Sequence, residues 1–133
     1  MGQSERAVQG HRPPRILIVD DADDVRKIHT MFLQGSGMEV LTAQNGSLAL
    51  DAARRAVPDV IVTDVDMPVM DGLDLCRQLR AEAATRHVVV VVVTGDPSNQ
   101  IQTAYAAGCD AVLGKPCSRT VLLATIRILL ERR

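Results

Sequence analysis

The chain has no tryptophan, one phenylalanine and one tyrosine among its 133 residues. That shortage argues against aromatic platforms on which single-stranded nucleic acid could stack. An excess of one charge is missing too. Fifteen basic residues face sixteen acidic ones, for a net charge of −1. No general electrostatic pull acts toward nucleic acid or an anionic membrane, so neither is expected as a direct partner. Cysteine is scarce and odd in number: Cys76, Cys109 and Cys117 show no CxxC pairing. A disulfide framework and a zinc site are not expected; the three read as small apolar packing residues in a reducing compartment. Long hydrophobic runs are absent as well. The longest, Val88 to Val93, is far short of the ~20 residues of a membrane span. The N-terminus has no apolar signal core, and in "MGQSER" Arg6 stands where a myristoylation signal needs Ser or Thr. The expected location is the cytoplasm.

What is present is an alternation. The length suits one domain with one core. Residues 1–14 are polar and end in "HRPP", whose two prolines resist helix, and they are expected to form a flexible tail. The domain is expected over 15–131. Within it, short β-branched runs ("RILIVD", 15–20; "MEVLTA", 38–43; "DVIVTD", 59–64; "VVVVVVT", 88–94; "AVLG", 111–114) alternate with helical patterns over 22–34, 46–56, 72–81, 98–108 and 118–130. In the first helix Val25, Ile28 and Phe32 share a face; in the second, Leu48 and Ala52 do. Strands that are apolar throughout belong in a parallel sheet covered on both sides, and right-handed crossovers then give an open, doubly wound α/β sheet. The last helix ends so near the final residue that no attached output domain is expected.

In such sheets function collects at the carboxyl ends of the strands. Here those ends carry Asp20 and Asp21 (first strand), Asp64 (third), Thr94 (fourth) and Lys115-Pro116 (fifth). The three aspartates and the lysine sum to −2. Two carboxylates ~4 Å apart repel by about 4 kcal/mol at an effective dielectric of 20, so the cluster calls for a divalent cation. An all-oxygen set without His or Cys favours Mg²⁺ or Mn²⁺ over zinc. Magnesium sites commonly complete their shells with phosphate oxygens, which points to a phosphoryl group as substrate. A carboxylate in that position can act as nucleophile and form an acyl phosphate, with Lys115 and the Thr94 hydroxyl serving the phosphoryl oxygens. Gly95 leaves the approach open.

The motifs "ILIVDD", "DVDMPVMDG", "VVVVTG" and "AAGCDAVLGKP", in that order, are joined by gaps of 43 residues from Asp21 to Asp64, 30 to Thr94 and 21 to Lys115. By them the chain resembles the receiver domain of two-component response regulators, chiefly the single-domain, chemotaxis-type members. The resemblance implies a flavodoxin-like (βα)5 fold with strand order 2-1-3-4-5. It implies that Asp64 accepts a phosphoryl group from a phosphohistidine on a histidine kinase or a histidine phosphotransfer protein. It further implies Mg²⁺ held by Asp21, by Asp20 through water, by Asp64 and by the backbone carbonyl of Asp66. Thr94 and Lys115 would hold the phosphoryl oxygens, and the Lys115-Pro116 bond would be cis. Enzymatic action would be limited to the domain's own phosphotransfer and autodephosphorylation.

One departure concerns output. Three residues before the lysine the family usually has Tyr or Phe, a ring that moves with the active-site hydroxyl; here Val112 stands there. After Pro116, where Phe is frequent, this chain has Cys117. Phosphate chemistry needs neither ring, whereas the usual relay to the output surface does. The acidic side chains of Asp66 and Asp96 beside the site are candidates for tuning the phosphoryl lifetime. Asp71-Gly72 reads as a turn and helix start, His29 as an exposed helix residue, and Tyr105 as a packing or partner-surface residue. On the last helix Leu122, Leu123, Ile126, Leu129 and Leu130 form the inward stripe. Val121 and Ile128 project outward and, with Val112, offer a contact face for a downstream target or a homodimer. Two other readings compete: a haloacid-dehalogenase-type aspartyl phosphatase, whose DxD motif "IVTDVDMPV" imitates, and a pseudo-receiver that binds partners without phosphorylation.

Overall fold

The valine block declares itself first: Val89–Thr94 forms a fully buried strand with neighbours on both sides. The computed structural model describes residues 12–133, so nearly all of the expected flexible tail lies outside the described residues. In chain order the elements are β1 (Arg15–Val19), α1 (Asp23–Gly35), β2 (Glu39–Ala43), α2 (Gly46–Arg55), β3 (Val60–Asp64), α3 (Gly72–Ala81), β4 (Val89–Thr94), α4 (Pro97–Ala107), β5 (Ala111–Gly114) and α5 (Arg119–Arg132). The strands pair in parallel in the order β2-β1-β3-β4-β5, the flavodoxin-like arrangement.

Side chains alternate across each strand, so the sheet feeds two cores. Leu17, Val19, Ile61, Val90 and Val92 point to one face, where Ala49, Leu50 and Ala53 of α2, Leu75 and Leu79 of α3 and Ala104 of α4 cover them. Ile16, Ile18, Val60, Val62, Val91 and Val93 point to the other, against Leu33 of α1 and Leu122 and Ile126 of α5. Cys76 and Cys109 are buried packing residues; Cys117 is half-buried.

Two helical faces differ from expectation. In α1 the residue fully buried is Leu33, while Ile28 is 49% exposed. The amino-terminal half of this helix overhangs a cavity at the strand ends, with Val25 and Ile28 on its wall, so only the carboxyl-terminal half presses on the sheet. In α2, Leu48 is 44% exposed, and Ala49, Leu50 and Ala53 carry the core face. The two small alanines let the helix approach the strands closely, and complete burial of Leu50 is worth roughly 1.5–3 kcal/mol.

The helix ends follow their chemistry. Asn45, Asp71 and Ser118 cap α2, α3 and α5 by accepting from the backbone N–H three residues on. Gly108, at φ 106°, ends α4 in the left-handed conformation. At the far edge from the strands' carboxyl ends, Asp110 pairs with Val90: its N–H donates to the Val90 carbonyl, and its carboxylate accepts from the Val90 N–H, each at 2.8 Å.

Candidate functional site

Four strands deliver polar groups to one edge. Asp64 is the last residue of β3 and Thr94 the last of β4; Asp20 follows β1, and Lys115 follows β5. Backbone bonds hold the two flanking residues in line with the sheet. Asp20 N–H donates to the Ala43 carbonyl at 3.2 Å, and Lys115 N–H to the Thr94 carbonyl at 2.8 Å. The Asp20 carboxylate also accepts from Ala22 N–H at 2.9 Å, which closes the chain over β1 before α1 begins.

Asp20, Asp21 and Asp64 each bring a carboxylate oxygen into a group lying within 4.8 Å of one another. Asp20 and Asp64 are buried and Asp21 is exposed. Lys115 Nζ lies 2.9 Å from Asp64 Oδ2. Burial pushes the Asp64 carboxyl above the usual range; the Lys115 bond and charge oppose that, and the neighbouring Asp20 charge adds to it. Partial burial works against the Lys115 charge, but the bond to Asp64 and the negative field of Asp64, Asp20 and Asp21 outweigh it and raise its pKa. Three carboxylates and one ammonium thus leave an unbalanced negative site with oxygen donors only. That donor set fits a hard divalent cation.

Thr94 is fully buried, and its hydroxyl is already engaged. It accepts from Asp96 N–H at 3.0 Å and donates to the side-chain carbonyl of Gln100. The structure therefore places Thr94 beside the carboxylates without bonding its hydroxyl to them. The Asp96 carboxylate is turned to the Asn99 amide, at 2.9 and 3.2 Å. Asp66 is exposed just past Asp64. Gly95 has open space where a Cβ would stand. The Lys115-Pro116 peptide bond is cis.

Val112 is partly buried against the α2–α4 core, whereas its neighbours Ala111 and Leu113 turn to the α1 and α5 side. Val112 therefore lies on the opposite face of the sheet from α5, whose Val121 and Ile128 are exposed. Tyr105 is exposed on α4. His29 is not an exposed helix residue. It lines a cavity of about 460 Å³ with Asp20, Asp64, Lys115 and Cys117, and burial lowers its pKa.

The sequence reading missed two residues of this site. Gly72 is more than a turn residue: a Cβ there would lie 2.1 Å from the Asp64 carbonyl oxygen. Its N–H also donates to the Val65 carbonyl at 2.9 Å. The Asp-Gly pair after the strand was the available signal. Gln100 offered none, because a glutamine on a helix carries no mark of its partner.

Residues 16–127 match the response regulator receiver domain family. The response regulator MprA of Mycobacterium sp. (strain KMS) is 40% identical over 120 residues, which cover 90% of this chain and 52% of MprA. The chain thus spans about half the length of that relative. Among solved structures, chemotaxis protein CheY4 of Vibrio cholerae superposes with a TM-score of 0.82 at 34% identity, over 86% of this chain and 97% of that one. The receiver domain of the sensor histidine kinase PA1611 from Pseudomonas aeruginosa PAO1 superposes with a TM-score of 0.83 at 26% identity, over 90% and 98%. That structure holds a magnesium ion in its active site cleft.

The chain belongs to the response regulator receiver domain family. It is a signalling module on a flavodoxin-like fold, and no helix among the described residues is long and apolar enough to cross a membrane.

Proposed function

We propose that Asp64 is the phosphoacceptor of a two-component phosphorelay, served by a phosphohistidine on a histidine kinase or a histidine phosphotransfer protein. One observation carries this reading above others: a buried carboxylate is paired to a lysine at 2.9 Å, with two more carboxylates in the same group. An Asp64 oxygen attacks phosphorus, the N–P bond of the phosphohistidine breaks with its electron pair staying on the ring nitrogen, and the imidazole leaves neutral because its other nitrogen already carries a proton. Lys115 keeps Asp64 ionised before attack and then neutralises the phosphoryl oxygens. Asp20, Asp21, Asp64 and the Asp66 carbonyl would hold Mg²⁺ or Mn²⁺. When bound, the cation supplies positive charge to the transferring phosphoryl group. Asp96, bonded to Asn99, is less suited than Asp66 to steering a hydrolytic water.

The chain would act in the cytoplasm and signal by binding a downstream protein, with Val121 and Ile128 of α5 as the contact face for a target or a second copy. The phosphatase reading loses ground because its motif would sit on the third strand and leave Asp20 and Asp21 without a role. Incubation with acetyl phosphate and Mg²⁺ tests the proposal. A stoichiometric, base-labile label that is absent in Asp64→Asn supports it. Turnover of a phosphomonoester would favour the phosphatase, and an unlabelled chain that still binds its partner would favour the pseudo-receiver.

A further inference from the structure

A threonine hydroxyl has one proton to donate. In this chain the Thr94 proton is given to the Gln100 carbonyl, while its oxygen accepts from Asp96 N–H. A phosphoryl oxygen on Asp64 needs that same proton. The two acceptors therefore compete, and the hydroxyl must leave Gln100 to serve the phosphoryl group. Gln100 is half-buried in the first part of α4, and the neighbouring Ile101 is exposed. Val112 carries no polar atom to take part in this exchange.

From this we infer that Gln100 is a positioning residue that holds Thr94 in its resting orientation, and that phosphorylation releases its carboxamide at the start of α4. The inference rests on Asp64 being the phosphoacceptor. It assigns to a helix glutamine a coupling that Val112 cannot provide. By reciprocity, whatever weakens the Thr94–Gln100 bond must favour the phosphorylated arrangement to the same extent.

The test uses beryllofluoride with Mg²⁺ on the full chain, with thermal unfolding as a control for folding. Gln100→Met keeps the bulk and removes the acceptor; Gln100→Ala serves as a second variant should the first not fold. Each is expected to bind beryllofluoride about 2- to 10-fold more tightly than wild type, the range one neutral hydrogen bond gives. In a Thr94→Val background the gain should vanish, because no hydroxyl is left to release. A merely structural role for Gln100 would not depend on Thr94. Wild-type binding with unchanged or weaker binding by the Gln100 variants overturns the inference, as does an equal gain in the Thr94→Val background. A wild-type chain that neither binds beryllofluoride nor takes label at Asp64 overturns the underlying phosphoacceptor reading instead.

Discussion

Lys115 Nζ reaches Asp64 Oδ2 at 2.9 Å although β4 lies between the strands that carry them. Two strand spacings are ~10 Å, so the lysine must stretch across the end of β4, directly over Thr94. Removing the ammonium leaves a buried carboxylate beside Asp20 with no protein cation bonded to it. Lys115→Met is expected to push the Asp64 pKa further up. It should also slow phosphorylation by small-molecule donors about 10- to 100-fold, the range of a charge-assisted hydrogen bond. NMR titration of Asp64 and initial labelling rates check the two parts separately.

Carboxylates collected for a cation repel each other when none is bound. At 4.8 Å two unit charges repel by about 3.5 kcal/mol at an effective dielectric of 20. Asp20→Asn is expected to raise the melting temperature in EDTA, with a gain of roughly 1–3 kcal/mol after screening. The same variant should lose the stabilisation that Mg²⁺ gives the wild type. Calorimetry with and without Mg²⁺ reads both; a variant less stable than wild type in EDTA would contradict the argument.

Gly72 has no room for a methyl group. A Cβ 2.1 Å from the Asp64 carbonyl oxygen would drive β3 and α3 apart where the nucleophile is set. Gly72→Ala is expected to cost more than about 2 kcal/mol, as overpacking against backbone does. It should also weaken Mg²⁺ binding. Urea unfolding and Mg²⁺ titration measure the two effects, and an alanine variant with unchanged stability would falsify the close-packing account.

Val69 holds φ at 74°, a region β-branched residues avoid. The Met70 N–H donates to the Pro68 carbonyl at 2.9 Å across it, a tight γ-turn in the loop between Asp64 and α3. The side chain is 83% exposed, so little packing offsets the strain. Relief of ~1–3 kcal/mol of backbone strain against ~0.5–1 kcal/mol of glycine entropy makes Val69→Gly stabilising. Chemical unfolding should show the gain, and a loss of stability would mean that the valine side chain matters after all.

Acid sensitivity should come in part from the opposite edge of the sheet. Asp59 is partly buried, which alone would raise its pKa, but the Arg15 N–H and the Arg133 guanidinium outweigh burial and lower it. A carboxylate whose folded pKa is depressed contributes stability above its unfolded value, about 3.9. That contribution is lost as pH falls through the lower folded value. Asp59→Asn is therefore expected to flatten the stability profile below about pH 4 and to leave the profile near neutrality parallel to wild type. Melting temperatures across pH 2–7 provide the check.

The sheet was legible because five apolar runs alternated with five helical patterns, and the site because its charged residues sat at the ends of those runs. The helix faces were less so. Val25, Ile28 and Phe32 obey the helical period as well as Leu33 does, and only the overhang of α1 beyond the strands decides between them. Val112 could be recognised as a missing ring, yet its inward direction followed only once β5 was paired with β4. The Thr94–Gln100 bond spans a turn whose geometry has no sequence mark.

The valine block of β4 has a consequence for the hydroxyl at its end. One valine is much like the next, so sliding the strand by two residues past β3 or β5 would exchange nearly identical side chains in the core. Hydrophobic packing is close to blind to such a slip, which would move Thr94 by about 6.6 Å. The choice falls to the ends, where a slip would draw the exposed His87 toward the sheet interior or push the buried Thr94 away from Gln100 and Asp96. A histidine at the far end of the strand thus helps set where a phosphoryl oxygen could find its donor.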